Sequence, residues 1–138
     1  MLRTVHIMQK TPINPWPWSL QVGYHQAELI EGATRQLVIA GQTAVDADGT
    51  PQHHDDMRAQ IALALDNLEA VLDGAAMTLA DITRLRIYTT DVDEAMQHFD
   101  LLGARFGPLQ AAPPMTLLGV TRLALPPLRF EIEATAAA

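Results

Sequence analysis

The sequence predicts an α+β fold in which two helices cover one face of a sheet. Three observations lead to this prediction. Apolar residues make up 49% of the 138 residues, which is enough to fill a packed interior at this size. One long segment has helical periodicity, and several short segments have the runs or the alternation of strands. The predicted order is strand, strand, helix, strand, helix, strand, strand, and we expect residues 1–138 to form a single domain.

The first half of the chain contains a strand followed by the strongest helix. The apolar run Gln36–Thr43 predicts a central strand covered on both faces. A helix is predicted to start at Met57, because apolar residues recur at helical spacing as far as Leu72. Asp55 or Asp56 can cap its start, and Gly74 can end it.

In the second half of the chain, the sequence predicts a strand, a helix and two closing strands. Residues Ile82–Thr89 form the strand, and the helix runs from about Asp93 to Arg105, with Asp91 as its cap. The closing strands are Thr116–Leu123 and Leu128–Thr135.

The sheet face away from the helices carries charge. Alternation places Arg84 and Arg86 of one strand on this face with Glu131 and Glu133 of another. Burying opposite charges together is tolerable only when they pair. Two interpretations remain open at this point: a face covered by self-association, or a solvated polar face.

Composition excludes several classes of function. The chain has no cysteine, which rules out disulfides and thiol chemistry and is typical of a reducing compartment. The net charge is −7, with Lys10 as the single lysine, so nucleic acid is an unfavourable partner. Met1–Lys10 lacks the apolar run of a signal peptide, and no segment reaches membrane-spanning length. We therefore expect a cytoplasmic protein with no membrane or nucleic-acid partner.

Few residues offer chemistry on their own. The cluster His53-His54-Asp55-Asp56 contains metal-ligand types, but adjacent side chains diverge, so a loop with a helix cap is favoured and no metal is assigned. Ser19 is the only serine, which gives little support to a Ser-His-Asp arrangement. Glu131 could act as a general base for a bound water, although it also fits an ordinary acid on a half-exposed strand.

Several segments, in order, resemble the RidA/YjgF family, also known under L-PSP endoribonuclease names. They are Gly23–Ala27, Ala40-Gly41-Gln42, Met57–Gln60, Leu68–Leu72, Arg84–Asp91 and Glu131–Ala136. The resemblance covers roughly residues 14–136. It implies a chorismate-mutase-like fold with a mixed sheet, assembled as a homotrimer with clefts between subunits. It also implies cofactor-free hydrolysis of imines or enamines such as 2-aminoacrylate.

The resemblance assigns roles to individual residues. Glu131 corresponds to the catalytic glutamate, and the substrate-binding positions fall on Tyr24, Gly41, Met115, Thr116 and Leu117. The family's Pro-Ala-Arg-Ser motif is aligned with Pro113–Thr116, which puts Met115 in place of the carboxylate-binding arginine. A family asparagine is replaced by Phe99.

The missing arginine changes the expected function. Arg122 and Arg105 are the other cations considered as replacements, but we favour a substrate that lacks the carboxylate. We therefore expect a small-molecule hydrolase that acts on an imine or a related metabolite and is inefficient on 2-aminoacrylate. The alternatives are a ligand-binding trimer without catalysis and, less favoured, an endoribonuclease. No cofactor is expected.

Overall fold

A mixed four-stranded sheet with helices on one side forms the centre of the molecule. The computed structural model describes residues 7–138; residues 1–6, which belong to the segment argued to lack a signal peptide, lie outside this range. The strands are β1 (Gln9–Ile13), β2 (Ala27–Glu31), β3 (Gln36–Gln42), β4 (Ile82–Thr89), β5 (Met115–Gly119) and β6 (Phe130–Ala137). The main sheet has the order β3-β6-β4-β5, in which β4 and β5 are parallel and the other pairs antiparallel. The predicted mixed sheet of an α+β fold is confirmed.

One long helix, α1 (Met57–Asp73), packs on this sheet. Its apolar stripe is fully buried, and it meets the inner side chains of β6 and β3 in the core. The stripe comprises Met57, Ile61, Ala64, Leu65, Leu68 and Leu72. Asp56 caps the helix, because its side chain accepts a hydrogen bond from the backbone N–H of Ala59 at 3.0 Å. The capping interpretation of the His53–Asp56 cluster is therefore confirmed for Asp56.

The second predicted helix is divided into two short ones. Helix α2 covers Val92–Met96 and α3 covers Asp100–Phe106. Between them, the amide of Phe99 bonds to the carbonyl three residues back, on Met96, rather than four back. Bonds of this 3₁₀ type tighten the backbone and interrupt the regular helix. Asp91 caps α2 as predicted, by accepting from the amide of Glu94.

The last two strands also differ from the prediction. Strand β5 starts at Met115 and ends at Gly119, four residues before the predicted end. Leu123 lies in the following loop, where it is buried in a small second cluster with Ala44 and Leu128. A buried apolar side chain in a loop gives the same sequence signal as one in a strand, which explains the overextension. Strand β6 has the predicted length but starts at Phe130 and ends at Ala137, two residues later than predicted at both ends.

Alternation along the strands gives the sheet two different faces. Inner side chains such as Leu85, Ile87 and Ile132 point to the helices and are fully buried. The other side, called the open face below, carries Val38, Arg84, Arg86, Tyr88, Thr116, Leu118, Glu131, Glu133 and Thr135. Val38 and Leu118 are 76% and 49% exposed. They lie on the two edge strands, β3 and β5, and these margins of the open face are not covered by any of residues 7–138. No helix in this range is long and apolar enough to span a membrane.

Candidate functional site

Glu131 lies on the open face against a glycine that leaves space for it. A β-bulge separates Ile39 from Gln42 in the pairing of β3 with β6, and Gly41 lies within it. A Cβ atom at Gly41 would stand 2.6 Å from Cδ and 2.7 Å from Oε2 of Glu131. Such distances are below van der Waals contact, so a side chain at position 41 would displace the carboxyl group. The structure thus brings together two of the residues that the sequence singled out.

The environment of Glu131 favours its protonated form. Partial burial raises the pKa of the Glu131 carboxyl, and the negative charge of Glu133 raises it further. Within residues 7–138, no side chain donates a hydrogen bond to this carboxyl group. A partly desolvated carboxyl without a fixed partner is suited to exchange a proton with a bound water or substrate.

Glu133, in contrast, is held by two neighbours on β4. The Tyr88 hydroxyl donates a hydrogen bond to Glu133 Oε1 at 2.5 Å, and Arg86 Nη1 lies 3.6 Å from the same oxygen. The hydrogen bond to Glu133 is also the main cause of a raised pKa at Tyr88. The predicted pairing of charges on this face is confirmed for Arg86 and Glu133. The role of Tyr88 was missed, although its place in the alternation with Arg84 and Arg86 was the available signal.

The β5 residues lie on both sides of the sheet. Thr116 pairs in register with Arg86 and is exposed on the open face. Met115 and Leu117 pair with Leu85 and Ile87 and pack against the core. Within one chain, Met115 and Leu117 therefore lie on the opposite side of the sheet from Glu131, because successive side chains of a strand alternate between faces. Their substrate-binding roles remain predictions. Thr116 is the β5 residue of the predicted set that shares a face with Glu131.

Met115 instead lines a separate cavity on the helix side. This cavity of about 340 Å³ is formed by the segment Leu20–Gly23, by Phe99 and Phe106 from the region of α3, and by Met115. Met115 and Phe99, the two residues interpreted as replacements of polar family residues, are thus neighbours in apolar surroundings.

Tyr24 lies beyond this cavity in the loop before β2. Its ring packs edge-on against Trp18, with centroids 6.1 Å apart, and its amide donates to the carbonyl of Ser19. Neither contact involves the open face. A single chain therefore does not bring Tyr24 to Glu131 through any hydrogen bond or aromatic contact among the described residues.

A family model described as "Endoribonuclease L-PSP" matches residues 20–138. The chain belongs to this family. The assignment agrees with the resemblance to RidA/YjgF proteins found in the sequence.

Relatives and solved structures support the membership of this L-PSP family. RutC family protein YjgH of Escherichia coli is 35% identical over 103 residues, covering 72% of this chain and 73% of that protein. The Rid-family protein YyfB of Yersinia pestis superposes with a TM-score of 0.83 at 34% identity, covering 95% of this chain and 98% of that one. A crystal structure of Escherichia coli TdcF with bound serine gives a TM-score of 0.67 at 26% identity, covering 83% and 87%.

Neither alternative cation considered for this L-PSP family member reaches the open face. Arg105 forms ion pairs of 2.7 Å with both Asp66 and Glu69. Arg122 donates to the backbone carbonyls of Leu123 and Ala124 in its own loop. Both guanidinium groups thus bind partners away from the open face. Among the described residues, no group of three or more His, Cys, Asp or Glu side chains could hold a metal ion.

Proposed function

We propose that this protein hydrolyses a small imine or enamine, with Glu131 as the acid–base group. The observation that supports this most is the placement of the Glu131 carboxyl, which is seated on Gly41, partly desolvated and without a hydrogen-bond donor in residues 7–138. A base of this kind works best when its pKa is shifted toward the working pH. Burial and Glu133 shift the pKa of Glu131 in that direction.

The reaction needs one water and no cofactor. The Glu131 carboxylate accepts a proton from water while the water oxygen bonds to the imine carbon, and the carboxyl group then gives this proton to the imine nitrogen. In the resulting carbinolamine, the same carboxylate accepts the hydroxyl proton and passes it to the amino nitrogen. The C–N bond then breaks, ammonia leaves, and the carbonyl product remains.

The substrate is proposed to lack a carboxylate next to the reacting carbon. Thr116 occupies the β5 position on the open face, and its hydroxyl offers a hydrogen bond but no charge. Losing the cationic partner of a buried carboxylate typically costs about 2–5 kcal/mol in binding. We therefore expect 2-aminoacrylate, whose carboxylate adjoins the reacting carbon, to be a poor substrate.

The cleft is proposed to form between the subunits of a homotrimer. The exposed Val38 and Leu118 at the margins of the open face give the apolar area that an interface needs. A second copy would also supply a wall above Glu131, and Tyr24 is the residue we expect it to contribute. Trimer formation is tested by light scattering coupled to size exclusion, with Val38→Asp as the variant. A monomeric native protein would count against the intersubunit cleft.

Imines without a carboxylate on the reacting carbon, generated in situ from simple amines by a flavin-dependent amine oxidase, provide the test of activity. We expect the native protein to accelerate ammonia release, and Glu131→Gln to reduce the increment over buffer to near zero. Glu31→Gln, which changes an exposed glutamate on β2, is the matched control and should keep the native rate. Equal rates with native protein, both variants and buffer would refute hydrolysis.

A ligand-binding role without turnover is the second candidate. The structure of TdcF with bound serine shows that a relative of this fold holds a small amino acid. In this case, the native protein would bind small metabolites with unchanged affinity in Glu131→Gln and would not release ammonia from imines.

The ribonuclease activity in the family description is disfavoured for this chain. A net charge of −7 with one lysine gives little counterion release on a phosphate backbone. Retention of RNA on a filter, weakening with added salt, would contradict this expectation.

A further inference from the structure

The open face has a second polar feature, which lies further along β6 than Glu131. Here a cavity of about 190 Å³ is lined by Arg84 and Arg86, by Glu133 and Thr135, and by the apolar groups Val38, Ile39 and Ala134. Arginine side chains remain charged at all ordinary pH values. Two guanidinium groups and one carboxylate leave this lining with a net charge of +1, within a chain whose net charge is −7.

The acid in this cavity does not neutralise both arginines. Glu133 already accepts the Tyr88 hydrogen bond, and its contact with Arg86 is long, at 3.6 Å. Arg84 forms no ion pair with any of residues 7–138. Arg84 and Arg86 are two residues apart on one strand, so their Cα atoms are about 6.5–7 Å apart and both side chains lie on the same face. Their like charges repel each other. An anion between them would relieve this repulsion.

We propose that this cavity binds a small oxyanion, a carboxylate or a phosphate group of a free small molecule. Guanidinium groups bind both anions through paired hydrogen bonds. Thr135 and Glu133, the acceptor of the Tyr88 hydrogen bond, complete the polar side of the cavity, and Val38 and Ile39 form its apolar side. The volume is below the 300–1,000 Å³ of typical small-molecule pockets. It suits an anionic group of a small metabolite rather than a nucleotide.

The position of the cavity relates it to Glu131. Glu133, which Arg86 contacts, lies two residues from Glu131 on β6, or about 6.5–7 Å along the strand. A ligand that presents its reacting carbon to Glu131 would therefore place a distant anionic group, rather than an adjacent one, in the cavity. The anion site itself requires no catalysis, and its binding test is independent of imine hydrolysis.

The test measures binding of glutarate and of inorganic phosphate by isothermal titration calorimetry, with the uncharged glutarate diamide as the comparison. We expect at least one anion to bind and the diamide to bind at least tenfold more weakly. Preference for glutarate identifies a carboxylate site, and preference for phosphate identifies a phosphate site. Arg84→Met and Arg86→Met should each weaken anion binding by roughly 10- to 150-fold, because a hydrogen bond to a charged group contributes about 1.5–3 kcal/mol.

Two controls keep the result interpretable. Arg122→Met removes a guanidinium that lies in another loop and should leave the affinity unchanged. Arg84→Lys keeps the charge and should retain binding better than Arg84→Met, and thermal unfolding will confirm that each variant is folded. The proposal is overturned if neither anion binds the native protein, if the diamide binds equally well, or if Arg122→Met has the same effect as Arg84→Met and Arg86→Met. None of these binding results bears on the proposed hydrolysis by Glu131. Conversely, if the native protein does not hydrolyse imines, the proposed anion site still stands or falls on the binding test alone.

Discussion

Replacing Gly41 by alanine tests whether the position of the Glu131 carboxyl group against Gly41 matters for catalysis. The added Cβ would lie 2.6 Å from Cδ of Glu131, whereas ordinary van der Waals contact begins at 3.4 Å. The carboxyl group must therefore retreat by at least 3.4 − 2.6 = 0.8 Å. A misplacement of about 1 Å can cost on the order of a hundredfold in rate.

We expect Gly41→Ala to lower kcat/KM for imine hydrolysis by roughly 10- to 100-fold, equivalent to about 1.4–2.7 kcal/mol in the activation barrier. The free energy of unfolding should fall by about 1–3 kcal/mol, because Cγ of Glu131, which would lie 2.9 Å from the added Cβ, must move together with the carboxyl group. Kinetics with imines generated in situ and urea unfolding measure the two quantities. Gly103→Ala adds the same methyl group where a Cβ meets nothing within 4 Å, and should leave kcat/KM unchanged.

A double-variant comparison locates the cause of the loss. If Gly41→Ala acts by displacing the Glu131 carboxyl, adding it to Glu131→Asp, whose side chain is one methylene shorter, should cost much less than it costs in the native protein, because coupled positions are not additive. Native kcat/KM in a folded Gly41→Ala protein would refute the reasoning. So would the same full loss when Gly41→Ala is added to a measurably active Glu131→Asp variant.

Three further predictions concern pH and stability. Glu133→Gln removes a negative neighbour, so the pKa of Glu131 should fall and the acid limb of the rate profile should move to lower pH. The pKa of Glu131 is raised in the folded state, so its contribution to folding stability is present below the ordinary glutamate pKa and is lost as the pH rises through the raised value. Glu131→Gln should therefore increase the free energy of unfolding over that of the native protein more at about pH 7 than at about pH 4. Gln60→Leu should cost about 2–5 kcal/mol in urea unfolding, since the buried amide of Gln60 bonds three backbone groups. The matched change Gln97→Leu, at an exposed glutamine, should cost far less.

The fold was predictable where local pattern and environment agree. Helix α1 has an unbroken apolar stripe and a side-chain cap at Asp56, so periodicity identified it almost to the residue. Strand β4 was predicted with its full bounds because its alternation is regular. The division between α2 and α3 was not predictable, because the change to 3₁₀ bonding near Phe99 has no glycine or proline to signal it.

The site was predictable only in part. Glu131 and Gly41 were selected separately, and the sequence gave no sign that the bulge in β3 brings them into contact. The sequence did not determine which β5 side chain shares a face with Glu131, because a shift of one residue in register moves a side chain to the other face of a strand. The pairing of Thr116 with Arg86 places Thr116 on the face of Glu131 and Met115 on the helix side.

The pH dependence of the enzyme-catalysed increment in imine hydrolysis tests the central claim most directly. The account predicts an acid limb in kcat/KM with an apparent pKa above that of an ordinary glutamate, and it predicts that the limb disappears together with the activity in Glu131→Gln. A rate increment that persists in Glu131→Gln with the native pH profile would contradict it.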